Sequence, residues 1–97
     1  MNLSDSLSSN KLVLIDFYSE DCPPCKVLEK ELIKVKEQLG TDVSIIQVDQ
    51  KANQNIFDAF SIKNLPHLKL FRFKKPVWSY SGLMSDKELI FEISKWK

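Results

Sequence analysis

The chain has 97 residues, 43% hydrophobic and 28% charged, with two Gly, four Pro and two Cys. That balance fits a single globular domain over residues 1–97 with one ordinary core, and it excludes disordered, collagen-like and disulfide-stapled classes. Fourteen Lys+Arg against thirteen Asp+Glu leave a formal charge of +1, so no net field draws the protein to nucleic acid or an anionic membrane.

The opening residues carry no early positive charge, and the apolar run Leu12 to Ile15 stops at Asp16. Neither a signal peptide nor a membrane span is expected, which places the chain in a reducing cytoplasm. Lys11 to Tyr18, KLVLIDFY, is continuously apolar apart from one aspartate, the pattern of a central strand buried on both faces. From Lys26 the period changes. Leu28, Leu32, Val35 and Leu39 recur at helical spacing with Lys and Glu between them, and Gly40 closes the helix. Pro23 and Pro24 suit its first turn, where backbone N–H groups have no helical partner, so the helix begins at the cysteines.

Val43 to Val48, VSIIQV, reads as a second strand, giving a right-handed βαβ unit with parallel strands. Asn53 to Phe60 predicts a short helix burying Ile56, Phe57 and Phe60. Asn64-Leu65-Pro66 then punctuates the chain. His67 to Phe73 and Val77 to Ser81 predict an antiparallel hairpin turning at Lys74-Lys75-Pro76. The basic run Arg72 to Lys75, with Phe73 inside it, reads as charge decorating a strand end and turn, because nothing else basic clusters with it. Ser85-x-x-Glu88 is a capping box ahead of Leu89, Ile90, Ile93 and Trp96, the apolar face of a last helix. The order β, α, β, α, β, β, α predicts an α/β domain whose mixed sheet is covered on both faces by helices.

The chain's two cysteines, Cys22 and Cys25, lie three positions apart in SEDCPPCK. A redox couple, half a metal site and a local staple are the readings open to such a pair. Zinc normally takes four ligands and His67 is the only other soft candidate, which disfavours metal. A reducing compartment disfavours a permanent staple. A Cys-x-x-Cys at a strand-to-helix junction in a βαβ context favours redox chemistry, because unpaired N–H groups and the positive end of the helix stabilise a thiolate at Cys22. Cys25, one turn on and more deeply placed, can then attack a mixed disulfide formed at Cys22.

The segment VLIDFYSEDCPPCK resembles the thioredoxin family's apolar strand, Asp-Phe pair and Cys-x-x-Cys-Lys; SIKNLPHLKLF resembles its second signature, and SGLMSDKEL the glycine and final-helix start that follow. This resemblance implies a thioredoxin fold and a dithiol–disulfide oxidoreductase that reduces protein disulfides in cell redox homeostasis. It implies Cys22 as the attacking nucleophile, Cys25 as the resolving cysteine and Asp16 as the buried acid that assists Cys25. It also implies that Pro66 is cis and that Leu65, Pro66, His67, Gly82 and Leu83 border the substrate groove. No cofactor or metal is implied for the chain itself. Electrons would come from NADPH through a flavin-dependent thioredoxin reductase, and the partners would be disulfide-containing proteins. A glutathione-dependent, glutaredoxin-like reductase and a binding module using the groove are the alternatives.

Departures from the family pattern carry expectations of their own. Glu20 and Asp21 stand where an aromatic residue usually precedes the first cysteine, and Pro23 replaces a glycine. With Pro24, these residues are expected to tune the couple toward stronger reduction, because negative charge opposes a thiolate. The lysine that often accompanies the buried acid falls at Ile45 by alignment. The family's first strand is expected to be absent, leaving four strands and one turn of helix over Asp5 to Ser9. That would expose Val43 to Val48 as an edge on which an otherwise monomeric chain could pair with a second copy.

Overall fold

The computed structural model describes Leu7 and residues 12–97. Apart from Leu7, the helical turn expected over Asp5 to Ser9 lies outside the described residues. The elements are β1 (Leu12–Tyr18), α1 (Pro23–Leu39), a 3-10 turn (Gly40–Asp42), β2 (Ser44–Asp49), α2 (Gln54–Ala59), β3 (His67–Arg72), β4 (Lys75–Ser81) and α3 (Asp86–Ser94). Among the described residues the sheet has four strands in the order β2-β1-β3-β4. β1 pairs parallel with β2 and antiparallel with β3, and β3 pairs antiparallel with β4. The apolar strand is therefore internal, as the sequence predicted, and β2 is an edge among the described residues; the stretch in which the family's first strand is expected to be absent lies, apart from Leu7, outside them.

Alternation along β1 divides the core into two. Leu12 and Leu14 pack with Leu28, Leu32 and Val35 of α1, Leu68 and Leu70 of β3, and Leu89 and Ile93 of α3. Val13, Ile15 and Phe17 face the other way, toward Val48, Phe57, Ile62 and Phe71, with Leu7 packed against them. Phe17 and Phe57 meet edge to face with ring centroids 5.3 Å apart. The short helix α2 buries Phe57 fully and leaves Ile56 and Phe60 half-buried, because six residues give under two turns and hold only one side chain squarely against the sheet.

Helix ends follow local chemistry. Gly40, at φ 53°, ends α1, and Ser85 and Glu88 form the expected reciprocal capping box of α3. The hairpin differs from expectation. Phe73 and Lys74 both take positive φ, 49° and 71°, so they form the two-residue turn whose twist suits adjoining strands, and β4 already begins at Lys75. Pro76 then lies inside β4, tolerated because an edge strand has an outward N–H position to leave empty; the register shifts between Leu70 and Phe71 beside it. No described helix is long and apolar enough to cross a membrane.

Candidate active site at the strand-to-helix junction

β1 ends at Tyr18 and α1 starts at Pro23, and Cys22 is the N-cap between them. Its extended backbone (φ −122°, ψ 96°) lets its sulfur face the first helical turn, where Cys25 N donates to Cys22 Sγ at 3.2 Å. Pro23 and Pro24 occupy the first two helical positions and have no N–H to offer, so the Cys25 amide is the first of the turn that can reach the sulfur. Cys22 and Cys25 are joined as a disulfide with Cα atoms 5.2 Å apart. Cys25 is 3% exposed and Cys22 only half-buried. Cys22 is therefore the more accessible of the two sulfurs.

Asp16 is 0% exposed, the one charged residue in the core among the described residues. It sits on the β1 face that packs against α1. Gln47 Nε2 donates to its Oδ2 at 3.3 Å, and Oδ1 has no partner. Burial pushes the carboxyl up from 3.8 to about 6; the Gln47 bond opposes that rise and the nearby Glu29 carboxylate adds to it. The polar neighbour of Asp16 is thus Gln47, opposite it in the β1–β2 register. Ile45, where alignment put the family's lysine, lies opposite Leu14 and packs against the apolar core. Counting along the sequence missed Gln47; the period-two register of a parallel pair is the signal that finds it.

Glu20 and Asp21 are exposed in the turn before Cys22. Together with Tyr18, Ser19, Cys25, Lys26, Glu29 and Gln47 they line a cavity of about 480 Å³. Negative charge converges there. The Tyr18 hydroxyl is held above its ordinary range by desolvation and then by Asp49, Glu20, Asp16 and Glu29.

The Leu65–Pro66 peptide is cis and Pro66 is buried. Gly82 N donates to Pro66 O at 2.9 Å, with Gly82 at φ 119°, a conformation that favours glycine. Leu83 is exposed beside Val27 and Met84, lining one shallow groove. Leu65, Pro66, Gly82 and Leu83 are thus gathered by the start of β3 and the end of β4. His67 is oriented differently. It pairs with Phe17 across β1 and β3, its ring meets the Phe17 ring edge to face at 6.1 Å, and its Nδ1 shares a 2.7 Å hydrogen bond with Ser81 Oγ. It lies on the α2 face, opposite to Asp16. Burial, then Lys69, lowers its pKa.

Among the described residues no group of three or more His, Cys, Asp or Glu is arranged to hold a metal ion. The reading that nothing basic joins Arg72 to Lys75 is corrected. The fold brings Arg72, Lys75, Lys95 and Lys97 around Trp96 in one groove at the far end of the sheet. Local partners engage most of them: Lys95 pairs with Glu92 and Lys97 with Asp42, each at 3.3 Å, and Arg72 Nε donates to Trp96 O at 2.8 Å.

The Thioredoxin family model matches residues 2–95. The chain is 38% identical over 94 residues to a thioredoxin of Chlamydia trachomatis, covering 97% of this chain and 90% of that protein. It is 33% identical over 91 residues to a thioredoxin of Mycobacterium tuberculosis, covering 94% and 78%. The solved structure of a mutant thioredoxin from Halobacterium salinarum superposes with a TM-score of 0.90 at 33% identity, over 97% of this chain and 81% of that one. A close cysteine pair capping a helix after a buried strand, matched along nearly the whole sequence, places the chain in the thioredoxin family, with thiol–disulfide oxidoreductase chemistry at Cys22 and Cys25.

Proposed function

We propose that this chain, as one domain over residues 1–97, is a protein-disulfide reductase acting as a monomer in cytoplasmic redox homeostasis. The observation that carries the reading is the unequal placement of the two sulfurs, Cys22 at the helix cap within reach of solvent and Cys25 buried behind it. The Cys22 thiolate attacks one sulfur of a substrate disulfide; the other leaves as a thiolate, and a mixed disulfide forms at Cys22. Cys25 gives its proton to Asp16, and the resulting thiolate attacks the Cys22 sulfur. The second substrate thiolate leaves, so two electrons have passed to the substrate and Cys22–Cys25 is oxidised. A flavin-dependent thioredoxin reductase using NADPH would return those electrons; the chain itself uses no bound cofactor. Leu65 offers its backbone to an extended substrate segment beside Pro66, with Gly82 and Leu83 completing the groove.

Reduction of a protein disulfide tests the reading on the wild type, Cys22→Ser and Cys25→Ser. The wild type turns over, Cys22→Ser is inactive, and Cys25→Ser accumulates the mixed disulfide. Absence of wild-type turnover with either a reductase or glutathione as donor overturns it; turnover with glutathione alone makes the protein glutaredoxin-like. If both serine variants keep the biological effect, the groove is a binding module.

Glu20, Asp21, Pro23 and Pro24 set how strongly the couple reduces. The acidic turn opposes a thiolate, and the two prolines subtract amide donors from the helix start. A less acidic Cys22 makes its disulfide harder to break in exchange with other couples, hence a more reducing pair. Thiolate absorbance followed against pH checks this; a Cys22 pKa below about 6 contradicts it.

A further inference from the structure

A buried acid that takes a proton must also release it, and release needs a path to water. Asp16 is enclosed by the apolar side chains of β1, β3 and α1, with Leu68 directly opposite it on β3. Its one polar contact is the amide of Gln47. Gln47 is exposed on β2, an edge strand among the described residues, and it lines the same cavity as Cys25 and Glu29. One side chain therefore touches both the buried carboxyl and the space through which Cys25 communicates with solvent. A primary amide suits that place chemically. Its NH₂ donates to a carboxylate, and its carbonyl can accept from the protonated acid, so Gln47 can hold Asp16 in either state.

We propose that Gln47 is a positioning residue for the resolving step, holding the buried Asp16 carboxyl by its amide while itself lining the Cys25 cavity, so that the proton Asp16 takes from Cys25 passes along Gln47 to water there. The inference rests on the reading of Asp16 as the proton acceptor for Cys25. The proton account closes: Cys25 S–H becomes a thiolate as Asp16 becomes a carboxylic acid, the thiolate attacks Cys22, and the acid then returns its proton to cavity water. The charged surroundings are those already placed around this cavity. Glu29 and Lys26 line it from α1, Glu20 and Asp21 from the preceding turn and Tyr18 from β1; Asp49 of β2 acts on the Tyr18 hydroxyl, and β3 places the apolar Leu68 opposite Asp16. With one cation among these carboxylates, ionisation of Asp16 depends on its bond to Gln47 more than on any ion pair.

The test is the pH profile of product release from a preformed mixed disulfide, measured on the full chain. Gln47→Leu is expected to move the rising limb up by about one pH unit and to slow release about tenfold below it, with the rate of mixed-disulfide formation at Cys22 unchanged. Gln47→Lys should move the limb the opposite way, because an ammonium favours the carboxylate; it also serves if Gln47→Leu does not fold. Asp16→Asn separates the two levels of argument. If it removes the limb while both Gln47 variants keep the wild-type profile, the positioning role is wrong and Asp16 remains the acceptor. If Asp16→Asn itself leaves release and its pH profile unchanged, Asp16 is not the acceptor and the Gln47 proposal falls with it.

Discussion

The two faces of β1 are built from neighbouring residues and do different work. The face toward α2 is apolar along its whole length, Val13, Ile15 and Phe17, and ends in a cluster of rings where Phe17 meets Phe57, Phe60 and His67. The face toward α1 and α3 starts in the same way, with Leu12 and Leu14, and then places Asp16 where a third aliphatic side chain would fit. That exchange comes at the end of the strand nearest the start of α1, where the Cys22 cap and the buried Cys25 lie. One face completes a core; the other gives up an apolar contact to bury a titratable group on the side of the sheet that α1 covers. The helix that carries Cys25 and the buried carboxyl share the α1 side of the sheet, and the α2 side of β1 is apolar packing throughout.

The largest effect that sharpens this contrast is expected on the α2 face. Phe17 is fully buried and makes ring contacts with three other side chains, and Phe17→Ala removes that volume from a packed site. A loss of about 3–5 kcal/mol is expected, read from urea unfolding. The surviving folded fraction should still form the Cys22 mixed disulfide, since the cap geometry at Cys22 involves none of these rings. A loss under about 1 kcal/mol would mean that the α2 face is not the structural one.

The central strand, α1, and the capping box of α3 were legible because their signals are local: an unbroken apolar run, a 3.6-residue repeat, and Ser85 three residues before Glu88. The redox pair was legible for the same reason, since a cap and the residue one turn later are neighbours in sequence. What escaped depends on contacts between distant segments or on turns without a marker residue. Phe73-Lys74 takes two positive φ angles with neither glycine nor asparagine to announce them, so Lys75 and Pro76 were assigned to the turn. Gln47 is brought to Asp16 by strand register, 31 positions away, and the alignment placed the partner two residues early, at Ile45. The basic groove joins Arg72 and Lys75 to Lys95 and Lys97 only after α3 has folded back over the sheet.

A smaller effect, of opposite sign, is expected on the α1 face. Asp16 has its folded pKa raised by burial, from 3.8 to about 6. Between those two pH values the folded protein holds a proton that the unfolded chain has released, so stability falls as pH rises from about 4 to about 6 and is level above that. The displacement corresponds to about 3 kcal/mol at pH 7 as an upper figure. Asp16→Asn keeps the shape and the contact with Gln47 but cannot ionise. Its unfolding free energy at pH 7 should therefore exceed the wild type's by about 1–3 kcal/mol, and the difference should shrink toward zero near pH 4, where the wild-type carboxyl is protonated as well. Parallel urea titrations at pH 4, 5, 6 and 7 measure it. A gap that stays constant across that range would show that packing, not ionisation, distinguishes the two side chains. A gap that closes toward acid, together with slowed product release, would show that the α1 face gives up stability at neutral pH for a proton acceptor, which the α2 face, without an acid on β1, never has to do.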